Sequence, residues 1–257
     1  MQRRDIAKMG LAAATLSLGT ATAMAQNKMT QETELTQILS RLTDRDVPAL
    51  VKMPVKTQWL VRITTLTALG DTVVLPDYLI QASKAGLTTD EMHEAIMQTM
   101  AYVGIPTARR AELILLDVVK NQKLPLPKPA GTVNDKNRFD EGLKAQTGIF
   151  GNRILNMHKA ARTEERPIMV DLLTGFCFGD TYTRQVLSLK MREFLTFVTI
   201  AALGGCDPQV RAHVGGNIAM GTTREELIDS LVVMAGLIGF PKTLNALAAV
   251  NAIALKQ

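Results

Sequence analysis

Apolar residues recur at helical spacing through most of the chain, and glycines, prolines and capping residues divide the pattern into segments. In one segment Leu227, Leu231 and Met234 lie three or four positions apart, as on one face of a helix. Thr223 and Glu226, just before them, have the spacing of a capping box. The pattern therefore predicts an all-α fold, with helices near 57–69, 76–85, 89–103, 106–120, 188–204, 208–220, 224–238 and 241–255.

The residues that begin and end these helices occur twice, about 135 positions apart, which indicates an internal duplication. The earlier set is Gly86, Thr88, Glu91, Gly104 and Pro106, and the later set is Gly221, Thr223, Glu226, Gly239 and Pro241. We interpret each set as part of one unit of four helices. The predicted boundaries are 26–120 for the first unit, 121–137 for a proline-rich linker, and 138–257 for the second unit.

The first 25 residues resemble an export signal. Arg3 and Arg4 precede Lys8 and a weakly apolar run, and Ala23-Met24-Ala25 fits a cleavage site. The arginine pair favours a twin-arginine signal, and the alternative is an ordinary secretory signal that contains two arginines. The apolar run is too short to span a membrane. We therefore expect a periplasmic or secreted protein with no membrane attachment once the signal is removed.

Composition narrows the remaining function classes. The chain is 47% hydrophobic but only 4% aromatic, which favours helices, and its formal net charge of +5 is too small to indicate nucleic-acid binding. The three histidines, His93, His158 and His213, lack metal-ligand spacing. No phosphate-binding glycine loop or dinucleotide motif is present, so we expect neither a metal nor an organic cofactor.

Three residues of the second unit could carry chemistry, namely Glu193, Cys206 and His213. A histidine can transfer protons near neutral pH, or it can simply be a hydrogen-bonded residue between helices. Glu193 lies in an apolar helix and could pair with His213, or it could form a salt bridge with Arg192 or Lys190. Cys206 precedes a helix start, which can activate a thiol, but it could also be a small buried residue.

The same positions of the first unit offer no such chemistry. Near them stand Trp59, then Asp71 or Thr72, then Tyr78 or Leu79. We therefore expect one site per chain, in the second unit, with the first unit as a scaffold. Arg184, Arg192 and Arg211 are candidates for binding the carboxylate of a substrate, although an arginine is more often a surface charge.

The two cysteines, Cys177 and Cys206, could form a disulfide in an oxidising compartment. The sequence does not reveal whether their Cα atoms come close enough for one. We interpret Cys177 as a core residue.

With these residues in place, the chain resembles the carboxymuconolactone decarboxylase family, which is related to alkylhydroperoxidase D-like proteins. The segments that carry the resemblance are 138–142, 178–180, 190–193, 202–204, 211–214, 223–226 and 239–246. The resemblance implies an all-α fold of two tandem family-like units that assembles as a homotrimer or larger ring. Through it, Glu193, Cys206 and His213 correspond to the acid, the first cysteine and the histidine of the peroxidase branch.

Gln209 stands where that branch has its second cysteine, so the resemblance favours the decarboxylase branch. Gly215-Gly216 stand where family decarboxylases often carry a basic residue. The leading hypothesis is cofactor-free decarboxylation of a small carboxylated lactone or related acid. Two alternatives stay open: a thiol peroxidase that uses Cys206, with Cys177 resolving, and a non-enzymatic oligomeric binding protein.

Overall fold

The computed structural model describes residues 33–254, and within this range the chain is helical and contains no β-strand. The all-α prediction is therefore confirmed. The chain divides into two compact parts, with the boundary between Asp46 and Val47. The export signal predicted for residues 1–25 lies outside the described residues.

The N-terminal part is described from residue 33 onward. Helix α1 (Glu34–Arg41) is followed by a short π-helical segment, Leu42–Asp46. Thr33 caps α1, because its Oγ1 accepts a hydrogen bond from the backbone N–H of Thr36 at 3.2 Å.

The main part contains every helix that the apolar pattern predicts, with bounds that differ by one or two residues at most. No described helix is both long and apolar enough to cross a membrane. In chain order the helices are α2 (Val47–Leu50), α3 (Val55–Leu69), α4 (Leu75–Lys84), α5 (Thr89–Val103), α6 (Ile105–Asn121), α7 (Arg138–Phe150), α8 (Asn152–Ala160), the π-helix Pro167–Tyr182, α9 (Leu189–Leu203), α10 (Asp207–Ala219), α11 (Arg224–Ile238) and α12 (Phe240–Ala254).

Helices α3–α6 and α9–α12, here called the first and second helix groups, begin with matching local structure. Thr88 and Glu91 form a complete capping box at α5, and Thr223 and Glu226 form one at α11. In each box the threonine Oγ1 accepts from the glutamate backbone N–H at 3.1 Å. This agreement is what a duplication predicts, and the boundaries given above for the two units stay a prediction.

Helices α3 and α9 form the centre of the main part. Helix α3 packs against α4, α5, α6, α9 and α11, and α9 packs against α3, α5, α10, α11 and α12. Thr65 and Thr199 are fully buried, and each satisfies its hydroxyl by donating to a carbonyl of its own helix at 2.7 Å. A polar side chain on α9 that cannot do this must find a partner on a neighbouring helix.

The π-helix Pro167–Tyr182 packs closely on α7, and its last residue, Tyr182, is hydrogen-bonded to residues of α9. A Cβ on Gly142 of α7 would overlap the carbonyl oxygen of Thr174, and a Cβ on Gly179 would overlap that of Arg138. Only glycine allows the two backbones to approach this closely. Arg138 also donates to Asp180 Oδ2 at 3.0 Å, so both resemblance segments 138–142 and 178–180 belong to this contact.

Candidate active site

A buried pair formed by Glu193 and His213 is the centre of the candidate site. Nδ1 of His213, on α10, lies 2.7 Å from Oε1 of Glu193, on α9. Glu193 is 0% exposed and His213 is 8% exposed. Of the two alternatives that the sequence leaves open for Glu193, the pairing with His213 is the one that forms. The alternative salt bridge to Arg192 or Lys190 is wrong, because those side chains bind other groups.

Two residues of α10 hold this pair in place. Asn217 donates its Nδ2 to the backbone carbonyls of Glu193 at 3.0 Å and of His213 at 2.8 Å, so it ties α10 to α9. Gly216 makes room for the carboxylate, since a Cβ there would overlap Oε1 of Glu193. The same Cβ would stand 2.9 Å from Ile149 Cγ2 and 2.9 Å from Phe150 Cε1.

The second carboxylate oxygen of Glu193 receives a hydrogen bond from a tyrosine. Tyr182, the last residue of the π-helix, donates its hydroxyl to Oε2 of Glu193 at 3.1 Å. The Tyr182 hydroxyl is also 2.9 Å from the hydroxyl of Tyr102 and 2.6 Å from Oγ1 of Thr196. Cys177 completes this cluster, because its Sγ donates to the Tyr102 hydroxyl at 3.6 Å.

The hydroxyls and the thiol of this cluster keep their protons at neutral pH. Burial raises the pKa of both Tyr102 and Tyr182 well above the usual value, and nearby Glu193 raises it further. Burial also raises the pKa of the Cys177 thiol to about 12, although the hydrogen bond with Tyr102 opposes the shift. Cys177 is therefore a core thiol, as predicted, and a poor nucleophile.

Aromatic rings surround the imidazole of His213. The ring of Phe150 lies 5.4 Å from it and the ring of Tyr102 lies 6.0 Å from it, both edge-on. Phe178 stacks on Tyr182 at 4.5 Å. Among the described residues, Glu193 is hydrogen-bonded to Nδ1 of His213 and no partner is hydrogen-bonded to Nε2.

Arg184 and Arg192, predicted as binders of a substrate carboxylate, instead bind a carboxylate of this chain. Arg184 makes a bidentate contact with Glu94 at 2.7 and 2.9 Å, and Arg192 donates to the same carboxylate at 2.8 Å. Burial alone would raise the pKa of Glu94, but His93 and the two arginines lower it to about 2. Both guanidinium groups are thus occupied within the fold.

Arg211 is the third predicted arginine, and it is exposed on α10. It lies two residues before His213, and side chains two positions apart on a helix point in different directions. A role in binding the carboxylate of a substrate stays a prediction for this residue.

Cys206 lies apart from the buried pair. It occupies the position before α10 and lines a cavity of about 280 Å³ together with Gly204, Asp207 and Lys242. Neither Glu193 nor His213 lines that cavity. Cys177 and Cys206 are both free, so the disulfide considered from the sequence is not formed. Within residues 33–254 no group of three histidine, cysteine or acidic side chains could hold a metal ion.

Sequence reasoning missed three parts of this site: Tyr182, Tyr102 and Asn217. Nothing in their local spacing distinguishes them from core residues, because each has at least one partner on another helix. Gly216 did carry a signal, since glycine is unfavourable inside a helix unless close packing requires it. In the sequence Gly215-Gly216 is a departure from the family pattern, and in the structure Gly216 makes room for the carboxylate of Glu193.

The comparisons with known proteins point to the segment that carries this site. Residues 167–252 match the carboxymuconolactone decarboxylase family, and this range includes Tyr182, Glu193 and His213 but not Tyr102. The chain is also similar to the 4-carboxymuconolactone decarboxylase of Acinetobacter baylyi, with 24% identity over 109 residues. That alignment covers 42% of this chain and 81% of the relative.

Proposed function

We propose that this protein is a cofactor-free decarboxylase that acts on a small carboxylated lactone or a related acid. The observation that carries the proposal is the buried Glu193–His213 pair at 2.7 Å, inside the segment that matches the carboxymuconolactone decarboxylase family. A histidine oriented by a carboxylate is a common device for moving one proton in a controlled direction.

In the proposed reaction, the C–C bond between the substrate and its carboxylate breaks and CO₂ leaves. The electron pair of that bond stays on the substrate as an enolate, which requires an electron-withdrawing group β to the carboxylate. Protonated His213 then gives its Nε2 proton to the carbanionic carbon, and a proton from solvent restores the imidazolium. The overall change is uptake of one proton and release of one CO₂.

Glu193 has two roles in this scheme. As a carboxylate it orients the imidazole through Nδ1, and it stabilises the positive charge that His213 carries before it gives up the proton. The aromatic rings of Phe150 and Tyr102 limit the water around the imidazole. A drier site strengthens both of these electrostatic effects.

The experiment that tests the proposal measures CO₂ release from 4-carboxymuconolactone, the compound in the name of the relative. We expect one CO₂ per substrate for the wild type, and a decrease of about 10²-fold or more for His213→Gln and for Glu193→Gln. His158→Gln is the matched control, since His158 contacts Thr174 and lies outside the pair. The proposal is wrong if His213→Gln releases CO₂ at the wild-type rate.

Two further assays address the other hypotheses on the same protein. Peroxide consumption that disappears in Cys206→Ala would support a thiol peroxidase, which the comparisons do not support. Binding of the lactone without turnover would support a non-enzymatic binding protein.

Export and assembly are also part of the proposal. The support for export is the sequence of residues 1–25, and the support for a homotrimer or larger ring is the family resemblance. Cell fractionation of the full chain and light scattering of the purified protein test these two points separately.

A further inference from the structure

We propose that Tyr182 is a positioning residue that keeps Glu193 as a hydrogen-bond acceptor and thereby selects one tautomer of His213. We further infer that helix α5, in the first helix group, supplies two of the side chains that hold Tyr182 in this role. The catalytic consequence rests on the acid–base role proposed for His213, whereas the tautomer itself can be measured without any substrate.

The direction of each hydrogen bond around Tyr182 follows from counting protons. Tyr182 has one hydroxyl proton, and it donates this proton to Oε2 of Glu193 at 3.1 Å. The Tyr182 oxygen therefore accepts from its other two neighbours, Tyr102 at 2.9 Å and Thr196 at 2.6 Å. A phenolic oxygen has enough lone-pair capacity for both.

The hydrogen bonds made by Tyr102 and Thr196 with their other neighbours are consistent with this assignment of donors. Cys177 donates to the Tyr102 hydroxyl, which leaves the Tyr102 proton free to go to Tyr182. Gln98 donates its Nε2 to Thr196 at 3.1 Å, which leaves the Thr196 proton free to go to Tyr182 as well. We call these hydrogen bonds, from Cys177 and Gln98 through Tyr102 and Thr196 to Tyr182, the network. In each of them the donor is the residue farther from Glu193 and the acceptor is the residue closer to it.

A charged residue, Arg192, holds Gln98 at the end of the network farthest from Glu193. Arg192 donates to Oε1 of Gln98 at 3.0 Å, so it determines which end of that amide carries the donor. Arg192 is itself held by Glu94 at 2.8 Å. Because Gln98 cannot flip without losing both contacts, its Nε2 must face Thr196.

This order has one consequence at the imidazole. With Oε2 of Glu193 saturated by Tyr182, Oε1 accepts from Nδ1–H of His213. The neutral imidazole then carries its proton on Nδ1 and a lone pair on Nε2, the nitrogen that would exchange protons with a substrate.

Helix α5 therefore does more than support the fold. Tyr102 and Gln98 both lie on α5, 80 and 98 positions away from their partners Tyr182 and Thr196. The sequence predicts that the first unit is only a scaffold, whereas two side chains of this unit, Gln98 and Tyr102, take part in these hydrogen bonds. The segment that matches the family contains neither of them.

The experiment is two-bond ¹H–¹⁵N correlation NMR of His213 in the full protein, without substrate, at a pH where the imidazole is neutral. We expect the wild type to show the pure Nδ1-protonated tautomer, and Tyr182→Phe to show a mixture of both tautomers. With 4-carboxymuconolactone, kcat of Tyr182→Phe should fall about tenfold to a hundredfold, because small displacements of a reacting group cost up to ~10²-fold.

Two threonines of α9 provide the matched control. Thr196 and Thr199 are both 0% exposed, but Thr199 donates only to the Leu195 carbonyl of its own helix. Thr196→Val should shift the tautomer ratio in the same direction as Tyr182→Phe, whereas Thr199→Val should leave it unchanged. Circular dichroism melting curves confirm that each variant is folded before its spectrum is compared.

The inference fails if Tyr182→Phe folds and keeps the pure Nδ1-protonated tautomer, or if Thr199→Val changes the ratio as much as Thr196→Val. A wild-type protein that shows the expected tautomers but releases no CO₂ would contradict the proposed function and leave the role of Tyr182 intact. The two proposals can therefore fail independently.

Discussion

The two helix groups fill the space between corresponding pairs of helices with different side chains. On α9 and α10 the facing residues are Glu193 and His213, joined by a 2.7 Å contact. At the corresponding places on α3 and α4 stand Trp59 and Tyr78, whose rings meet edge-on at 5.7 Å. All four side chains are buried, so the space between the helices is filled in both groups.

The difference between the groups shows what a buried polar pair requires. Trp59 and Tyr78 are stabilised by apolar burial, with the guanidinium of Arg62 4.7 Å above the indole as an addition. Glu193 and His213 instead depend on Gly216 for space, on Asn217 for the helix contact and on Tyr182 for the second carboxylate oxygen. At this place the second group has a carboxylate and an imidazole, whereas the first group has two aromatic rings.

A second difference concerns the residues at the starts of α4 and α10. Asp71 accepts three backbone hydrogen bonds at the start of α4, from Val73, Val74 and Leu75, at 2.7 to 3.1 Å. Cys206 stands at the corresponding place before α10 and makes no capping bond. The second group thus lacks a helix cap where it carries a free thiol.

The largest expected effect comes from placing the acid of one group into the other. Trp59→Glu would bury an unpaired carboxylate and leave a cavity, and we expect it to lower the free energy of unfolding by about 4 kcal/mol or more. Urea denaturation measures this loss. Trp59→Phe is the control and should cost less than half as much.

Adding Tyr78→His to Trp59→Glu sharpens the same comparison. If the two groups are structurally equivalent, the double variant should recover about 1 to 3 kcal/mol, because the new histidine pairs with the new acid. A double variant no more stable than Trp59→Glu would show that the first group cannot accommodate the pair.

The next effect concerns the ion pairs between the two groups, in which Glu94 of α5 binds Arg192 of α9 and Arg184. Since its folded pKa is about 2 against a usual 4.5, Glu94 stabilises the fold at pH above 4.5 and loses this contribution as the pH falls through 2. The contribution is about 3 kcal/mol.

The measurement compares urea denaturation of the wild type and Glu94→Gln at pH 5 and at pH 2.5. The pKa of His93 is raised mainly by its hydrogen bond with Glu94, so the difference between the two proteins includes the loss of this contact. We expect the stability advantage of the wild type to shrink on acidification. An advantage that stays constant would show that the carboxylate does not stabilise the contact between the groups.

A smaller effect is expected from the glycine that makes space for the polar pair. Gly216→Ala should lower the free energy of unfolding by about 1 to 3 kcal/mol, because its Cβ would overlap Glu193 Oε1. Gly215→Ala is the neighbouring control, with nothing within 4 Å of its Cβ, and should stabilise the helix by about 0.5 to 1 kcal/mol. Thermal unfolding shows whether each substitution lowers or raises the stability. Equal effects of the two substitutions would contradict this role of Gly216.

The smallest effect concerns the two helix starts. Asp71→Ala should cost about 1 kcal/mol through loss of the cap, whereas Cys206→Ala should change stability by less than about 0.5 kcal/mol. Cys206→Asp should add about 0.5 to 1 kcal/mol by supplying the cap that α10 lacks. If Cys206→Asp destabilises the protein, the two helix starts are not equivalent.

Much of the fold could be predicted from the sequence because helices are specified by nearby residues. The starts of α5 and α11 follow from Thr88 and Thr223, which act on residues three positions away. The pairing of Glu193 with His213 was also predictable, because an acid inside an apolar helix needs a partner and the second unit offers one nearby histidine.

The rest of the site depends on contacts between residues that are far apart in the chain. The sequence alone could not show that Arg192 binds Glu94, 98 positions away, or that the hydroxyls of Tyr182 and Tyr102, 80 positions apart, are hydrogen-bonded to each other. The sequence determined the helices, their caps and two reactive side chains. Only the tertiary structure decided which buried donors face which acceptors, because burial forces each polar group to bind whichever partner the packed helices bring within reach.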